Sequence, residues 1–518
     1  MMFVMKYSLS IAVMAGACCL LAACSADVPT SFAEKNAEAD IYPDYSNCVV
    51  PANIAPLNFF LRDSVDECVL TITPEVGELV KVPGNADNAF LIPVSDWKKL
   101  LSENVGKSLK FDVYARQKGA WLHFKPFVNQ ISPDSIDRYL TYRLIEPSYM
   151  GTGEVGVYQY DIENGEQTVI FDNHRCHKNP NIRGQKCVNC HTAQRNHPEN
   201  KMFYYRGANG GLILTYNGKV SKINTRTGDM FAGTVYPAWH PTLPFIAFSS
   251  NTIKQSFPVF ALNKVEPYDL RSDLVLYNIE KNEITGVLRT AGSHETNPNW
   301  SPDGKYLYYN SSDSTLKVGP SIMKMRYNLF RIAFNADSIS WGKPELVYDA
   351  ASKLKSATYP RVSPDGRYLL FTEAVYGTST QTNKTADLCL VDLRTMEVRP
   401  LDEINSKTES DSYHDWSKGG KWFVFSSRRF DGNYSRPYFS HIGADGKASK
   451  PVQMPHANPR HDLNLLKCYN VPEFSTAPVK FSPSDFQSAI SSEEVKATYG
   501  SPLNTQNPDG VTSATKME

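Results

Sequence analysis

The chain has 518 residues, balances 54 Lys plus Arg against 54 Asp plus Glu, and is 41% hydrophobic and 12% aromatic. That much apolar material can build a large core, which excludes a disordered protein, and the length points to more than one domain. Balanced charge without a long basic run excludes the electrostatic footprint of a nucleic-acid binder.

Lys6 precedes an apolar run from Ile11 to Leu21 and then small residues, which is the layout of an export signal. The run is too short to span a bilayer comfortably. Leu21-Ala22-Ala23-Cys24 resembles the bacterial lipobox. That resemblance implies a signal peptide over 1–23, cleavage before Cys24, and acylation of Cys24 as an anchor in a lipid membrane. An ordinary signal peptide with a chance cysteine is the alternative. Several acyl chains together hold a protein firmly, where one holds it marginally. Ser25, standing where inner-membrane lipoproteins carry Asp, implies an outer-membrane lipoprotein facing the periplasm or the cell surface. Of the ten cysteines, Cys18 and Cys19 leave with the signal and Cys24 takes lipid, so seven remain. Outside the cytoplasm these are expected to be paired or modified, and Cys48 with Cys68 is one candidate bridge.

Residues 24–40 are polar and aperiodic and read as a flexible tether. Over 41–125, short apolar runs at Leu57–Leu61, Val69–Thr73 and Leu109–Tyr114 are separated by Pro, Gly and Asn clusters, with a short helix expected over Ser95–Leu101. The pattern is that of a small β-sandwich of immunoglobulin-like type, and it carries no catalytic constellation.

From 126 to 475 a repeat sets the fold. Asn297-Pro298-Asn299-Trp300-Ser301-Pro302-Asp303-Gly304-Lys305-Tyr306 matches Tyr359-Pro360-Arg361-Val362-Ser363-Pro364-Asp365-Gly366-Arg367-Tyr368, and each runs into an apolar strand. Tyr236-Pro237-Ala238-Trp239-His240-Pro241 and Tyr413-His414-Asp415-Trp416-Ser417 are degenerate copies, and Ser132-Pro133-Asp134 begins a weaker one. Each unit reads as strand, tight turn, strand, with Asp303 and Asp365 capping backbone N–H groups in the turns. Alternating strands such as Leu274–Ile279 and Leu388–Leu393 close several units. The repeats resemble those of TolB-like β-propellers, which implies an all-β propeller of about six blades. After 475 the composition turns polar, and 476–518 reads as a loosely ordered tail.

Cys187-Val188-Asn189-Cys190-His191 is a C-x-x-C-H string, the attachment pattern of c-type haem. In that chemistry the thiols of Cys187 and Cys190 add to the haem vinyl groups and His191 becomes the proximal iron ligand. No helical stretch of the kind that surrounds the motif in an ordinary cytochrome c is present. The motif is therefore expected in an insertion between blades, over 172–202, with the propeller covering the cofactor. Two other readings stand beside covalent haem: zinc held by Cys176, His177, Cys187 and Cys190, and a Cys187–Cys190 disulfide. For a sixth iron ligand the candidates are His174, His177, His197 and Met202 near the motif, His414 at the head of a repeat, and His461.

Arg206–Gly211 is glycine-rich but lacks the lysine of a P-loop, and no G-x-S-x-G elbow supports a hydrolase. The expectation is an envelope lipoprotein with one haem, acting in electron transfer or redox sensing with an unidentified protein partner. The alternative is a protein-binding scaffold with structural zinc or a disulfide at the cysteines.

Overall fold

The computed structural model describes residues 27–147, 154–173, 187–206, 210–227, 230–256, 266–313 and 323–500. The signal region, Cys24, His174, Cys176 and His177 lie outside them, as does the end of the tail beyond 500. Among the described residues, no helix is long and apolar enough to cross a membrane.

The N-terminal part is a seven-stranded sheet, a three-stranded sheet and one helix. The helix, Val94–Glu103, follows Pro93 and buries Trp97, Leu100 and Leu101, the i, i+3, i+4 spacing of one helical face. Trp97 donates its indole N–H to Ile54 O at 2.9 Å. This core continues into the propeller through Leu140, Tyr142, Trp422 and Tyr469, so the two parts share one apolar interior. Cys48 and Cys68 are both buried and free, so the expected bridge between them is not formed. The Cys48 thiol instead points at Ser46 O, 3.3 Å away.

The remaining sheets form a ring of six four-stranded antiparallel blades, two of them extended by a fifth strand. Blades 2 to 6 begin with innermost strands Cys187–Gln194, Thr234–Trp239, Ser293–Trp300, Ser356–Val362 and Asp411–Trp416, and then build outward. Blade 1 differs: its innermost strand, Cys468–Ser475, comes from the far end of the chain and pairs with Tyr139–Ile145. Closing the ring with one late strand leaves no inner edge open.

The repeat now has a physical account. Ser301 Oγ lies 2.5 Å from Asp303 Oδ1 and accepts from Tyr306 N at 2.9 Å, while Asp303 Oδ1 accepts from Lys305 N. Ser363, Asp365, Arg367 and Tyr368 repeat this network with the same spacing. Gly304 and Gly366 take φ of 72° and 73°, conformations that a side chain would strain. The repeat tryptophans tie blades together: Trp300 Nε1 donates to Ala238 O, and Trp416 Nε1 to Arg361 O, both at 3.1 Å.

Two expectations change. Residues 187–206 are no insertion: Cys187–Gln194 and His197–Arg206 are the first two strands of blade 2. Nor is 476–500 loose. Helix Pro483–Ser491, opened by a Ser482/Asp485 capping box, buries Phe486 against Phe171 and Phe203. Glu494–Lys496 and Thr498–Tyr499 then add parallel strands to the outer edges of blades 2 and 3. The apolar residues Phe481, Phe486, Ala489 and Ile490 drive this packing, and the polar composition around them obscured it.

Candidate functional site in the central channel

Every innermost strand is interrupted by a register shift at the same height. The shifts fall at Asn189, Tyr236-Pro237, Asn297-Pro298, Tyr359-Pro360, Tyr413 and Val471-Pro472. A bulge of this kind bends the strand and re-aims the next side chains. Cys190 and His414 stand where other blades carry proline. The C-x-x-C-H string is thus the blade 2 copy of the repeat.

In the register that follows, the residue after the proline position is Glu473, His191, Ala238, Asn299, Arg361 and Asp415 in blades 1 to 6. All six line a central cavity of about 1020 Å³, together with Cys190, His414, Arg143 and Arg206. Its wall is aromatic as well as charged. Tyr359 lies 5.0 Å from Tyr413 and 6.4 Å from Tyr236 between ring centroids.

His191 is 4% exposed, and neither ring nitrogen has a hydrogen-bond partner among the described residues. The Thr141 backbone approaches the ring without the geometry of a bond. Burial, reinforced by the Lys201 charge, pushes the imidazole down to about 4, so it is neutral at pH 7 with a lone pair available. Beside it, Glu473 accepts from Thr192 Oγ1 at 2.6 Å, Ala193 N at 2.8 Å and Lys201 Nζ at 2.7 Å. Burial alone would raise that carboxyl; the Lys201 charge and the hydrogen bonds from Lys201 and Thr192 outweigh it and hold it below its ordinary range.

Across the ring the charges are less matched. Asp415 is raised to about 7, by burial first and then by the Glu473 charge, while its Oδ2 accepts from Phe474 N at 2.8 Å. Arg361 donates one N–H to Pro360 O at 3.0 Å and lines the cavity with its remaining donors. His414 is neutral, held at about 3 by burial and by Arg361, with Nε2 lying 3.0 Å from Leu370 O.

Of the proposed sixth ligands, His414 shares the channel with Cys190 and His191. Met202 does not: it is fully buried in the apolar core between blades 2 and 3, with Leu212, Trp239 and Ile246. His197 is exposed at the start of the second strand of blade 2. His461 sits at the junction with the N-terminal part, beside His456. The backbone of Cys187 lies in the channel strand. Sequence reasoning missed Glu473, Lys201, Arg361 and Asp415. The signal for Arg361 and Asp415 was present, because both occupy the Asn299 position in recognised copies of the repeat.

The strand order and the channel define a six-bladed β-propeller with a polar, aromatic-walled central cavity. No family model matches the chain. An uncharacterised protein of Agrobacterium fabrum, Atu1656, is 26% identical over 229 residues, covering 40% of this chain and 76% of that one. Among solved structures, TolB from Acinetobacter baumannii matches at 12% identity and a TM-score of 0.40, over 74% of this chain and 85% of that one. The GH74 enzyme of Niastella koreensis matches at 10% identity and 0.38, over 60% and 44%.

Proposed function

We propose that this chain is a bacterial envelope lipoprotein whose propeller channel holds one covalently attached c-type haem, serving electron transfer or redox sensing. The observation that carries the reading is His191: a buried, neutral imidazole with both nitrogens unpartnered, facing a large cavity directly after Cys190. A buried polar group without a partner costs free energy, and an iron ligand bond would satisfy it. The donor set suits the group. Cys187 and Cys190 would be the attachment thiols and His191 the proximal ligand, and His414, two blades round the ring in blade 6, is a channel residue able to serve as a second ligand. Arg361 and Arg206 would meet the propionate carboxylates, and Tyr236, Tyr359 and Tyr413 offer flat apolar wall for a macrocycle. When bound, the haem would supply one-electron chemistry. The cavity lies at the upper end of the volumes common for ligand sites.

Intact-mass analysis of the mature protein, expressed with a c-type maturation system, tests the reading. The expected result is about 616 Da of added mass and a Soret band, both lost in Cys187→Ala/Cys190→Ala. A chain of unmodified mass without Soret absorption overturns it.

A second reading is a protein-binding scaffold, and one observation favours it. The motif stands at a repeat position, so Cys190 and His191 have a structural place in the blade with or without a cofactor. The same mass measurement separates the two: loss of about 2 Da marks a Cys187–Cys190 disulfide, and metal released on denaturation of the wild type beyond that released from Cys187→Ala/Cys190→Ala marks zinc at the cysteines.

A further inference from the structure

Away from the channel, where the propeller meets the N-terminal part, the chain turns through His456-Ala457-Asn458-Pro459-Arg460-His461-Asp462. We propose that His456, His461 and Asp462 form a binding site for one zinc-class divalent cation that clamps this junction.

One ligand atom from each of the three residues lies within 4.8 Å of the others. His456 Nε2 and Asp462 Oδ1 are 3.5 Å apart. Two ligands about 2.0–2.2 Å from a tetrahedral ion stand roughly 3.3–3.6 Å apart, so this pair already has the edge length of a zinc site. The His456 and His461 rings stack with centroids 4.1 Å apart and planes 26° from parallel. His461 Nε2 is buried and has no hydrogen-bond partner among the described residues.

The surroundings are those of an oriented ligand set. Gln453 Nε2 donates to Asp462 Oδ2 at 2.7 Å, and Tyr469 OH donates to Asp462 Oδ1 at 3.2 Å. Such outer contacts fix a ligating carboxylate in place. Arg436 is an opposing charge, with Nε 3.7 Å from Asp462 Oδ1. Its guanidinium is held in position by the carbonyls of Asp462, Leu465 and Lys467. Three protein ligands would leave a fourth coordination place for water. Asn58 of the N-terminal part bonds His456 O and Ala457 O, so an ion here would stiffen the contact between the two parts.

The test uses the mature chain stripped with EDTA, titrated with Co²⁺ and followed by its d–d absorption, with zinc stoichiometry read after desalting. The expectation is one equivalent of zinc, a four-coordinate cobalt spectrum, and a Tm that rises with added zinc. His461→Ala should abolish the cobalt spectrum and weaken zinc binding about a hundredfold or more, with circular dichroism unchanged. Cys187→Ala/Cys190→Ala/His191→Ala should retain both, which separates this site from the channel. If His461→Ala does not fold, His461→Gln carries the same comparison. Equal zinc affinity in wild type and the His461 variant, or no cobalt spectrum in wild type, overturns the proposal.

Discussion

Lys201→Met tests the closure of the ring at one point. Lys201 is 0% exposed, and its ammonium donates to Glu473 Oε2 at 2.7 Å and to Thr141 Oγ1 at 3.2 Å. Those bonds join the second strand of blade 2 to the two inner strands of blade 1. Methionine fills the stem of the lysine and removes only the charge, leaving Glu473 buried with its Thr192 and Ala193 donors. Breaking a buried pair from one side costs about 3–5 kcal/mol, because the remaining charge loses its partner in a poorly polarisable interior. The Thr192 and Ala193 bonds persist, so the lower half of that range is expected. Urea denaturation at pH 7, followed by tryptophan fluorescence, measures the change through the midpoint at constant slope. The double variant Lys201→Met/Glu473→Gln removes both charges and should recover more than half of the loss. A single-variant cost below about 1 kcal/mol, the level of an exposed ion pair, would refute the account of this pair as a desolvated clasp.

Glu295, buried on the inner strand of blade 4, is raised by desolvation to about 8 from an ordinary 4.5. Between those values the folded state holds a proton that the unfolded chain releases. Its contribution to stability is therefore full below about pH 4.5 and declines as pH rises through 8, by at most about 1.4 kcal/mol per pH unit. Glu295→Gln, neutral throughout, should gain on wild type progressively from pH 5 to 8 in paired urea melts; a constant difference across that range contradicts the shift. Gly304→Ala and Gly366→Ala share the same strained φ, yet a Cβ at 304 would lie 2.4 Å from His240 Nε2, whereas at 366 the nearest atom is 3.9 Å away. Thermal unfolding should show the first substitution costing clearly more than the second, which should stay near about 1 kcal/mol.

Blade architecture was legible because the Ser-Pro-Asp-Gly turns need particular side chains. Serine and aspartate close the turn on its own backbone, and glycine takes a conformation that other residues resist. The inner strand of blade 2 lacked those markers. Cys190 replaces the proline, Thr192 the aromatic, and the turn at Arg195-Asn196 carries no Ser-Pro-Asp, so the local pattern resembled an insertion. Only the ring, which forces each blade to supply an inner strand at equal height, reveals the correspondence. His414 was legible as a repeat residue because its copy retained Trp416 and Ser417. Met202 was misjudged because proximity along the chain says nothing of which face of a strand a side chain takes, and its neighbour Phe203 points into a different core. Glu473 could not be found from its neighbours in sequence at all, since its partners lie some 270 residues away.

The innermost strand of blade 1 is made from residues 468–475, so the channel has a gap in its wall until those residues have emerged. Until then Cys190 and His191 belong to an incomplete ring with an open side, and afterwards to the lining of the channel. The permuted pairing of one strand therefore leaves closure of the channel wall to a segment made long after the strand that carries Cys190 and His191.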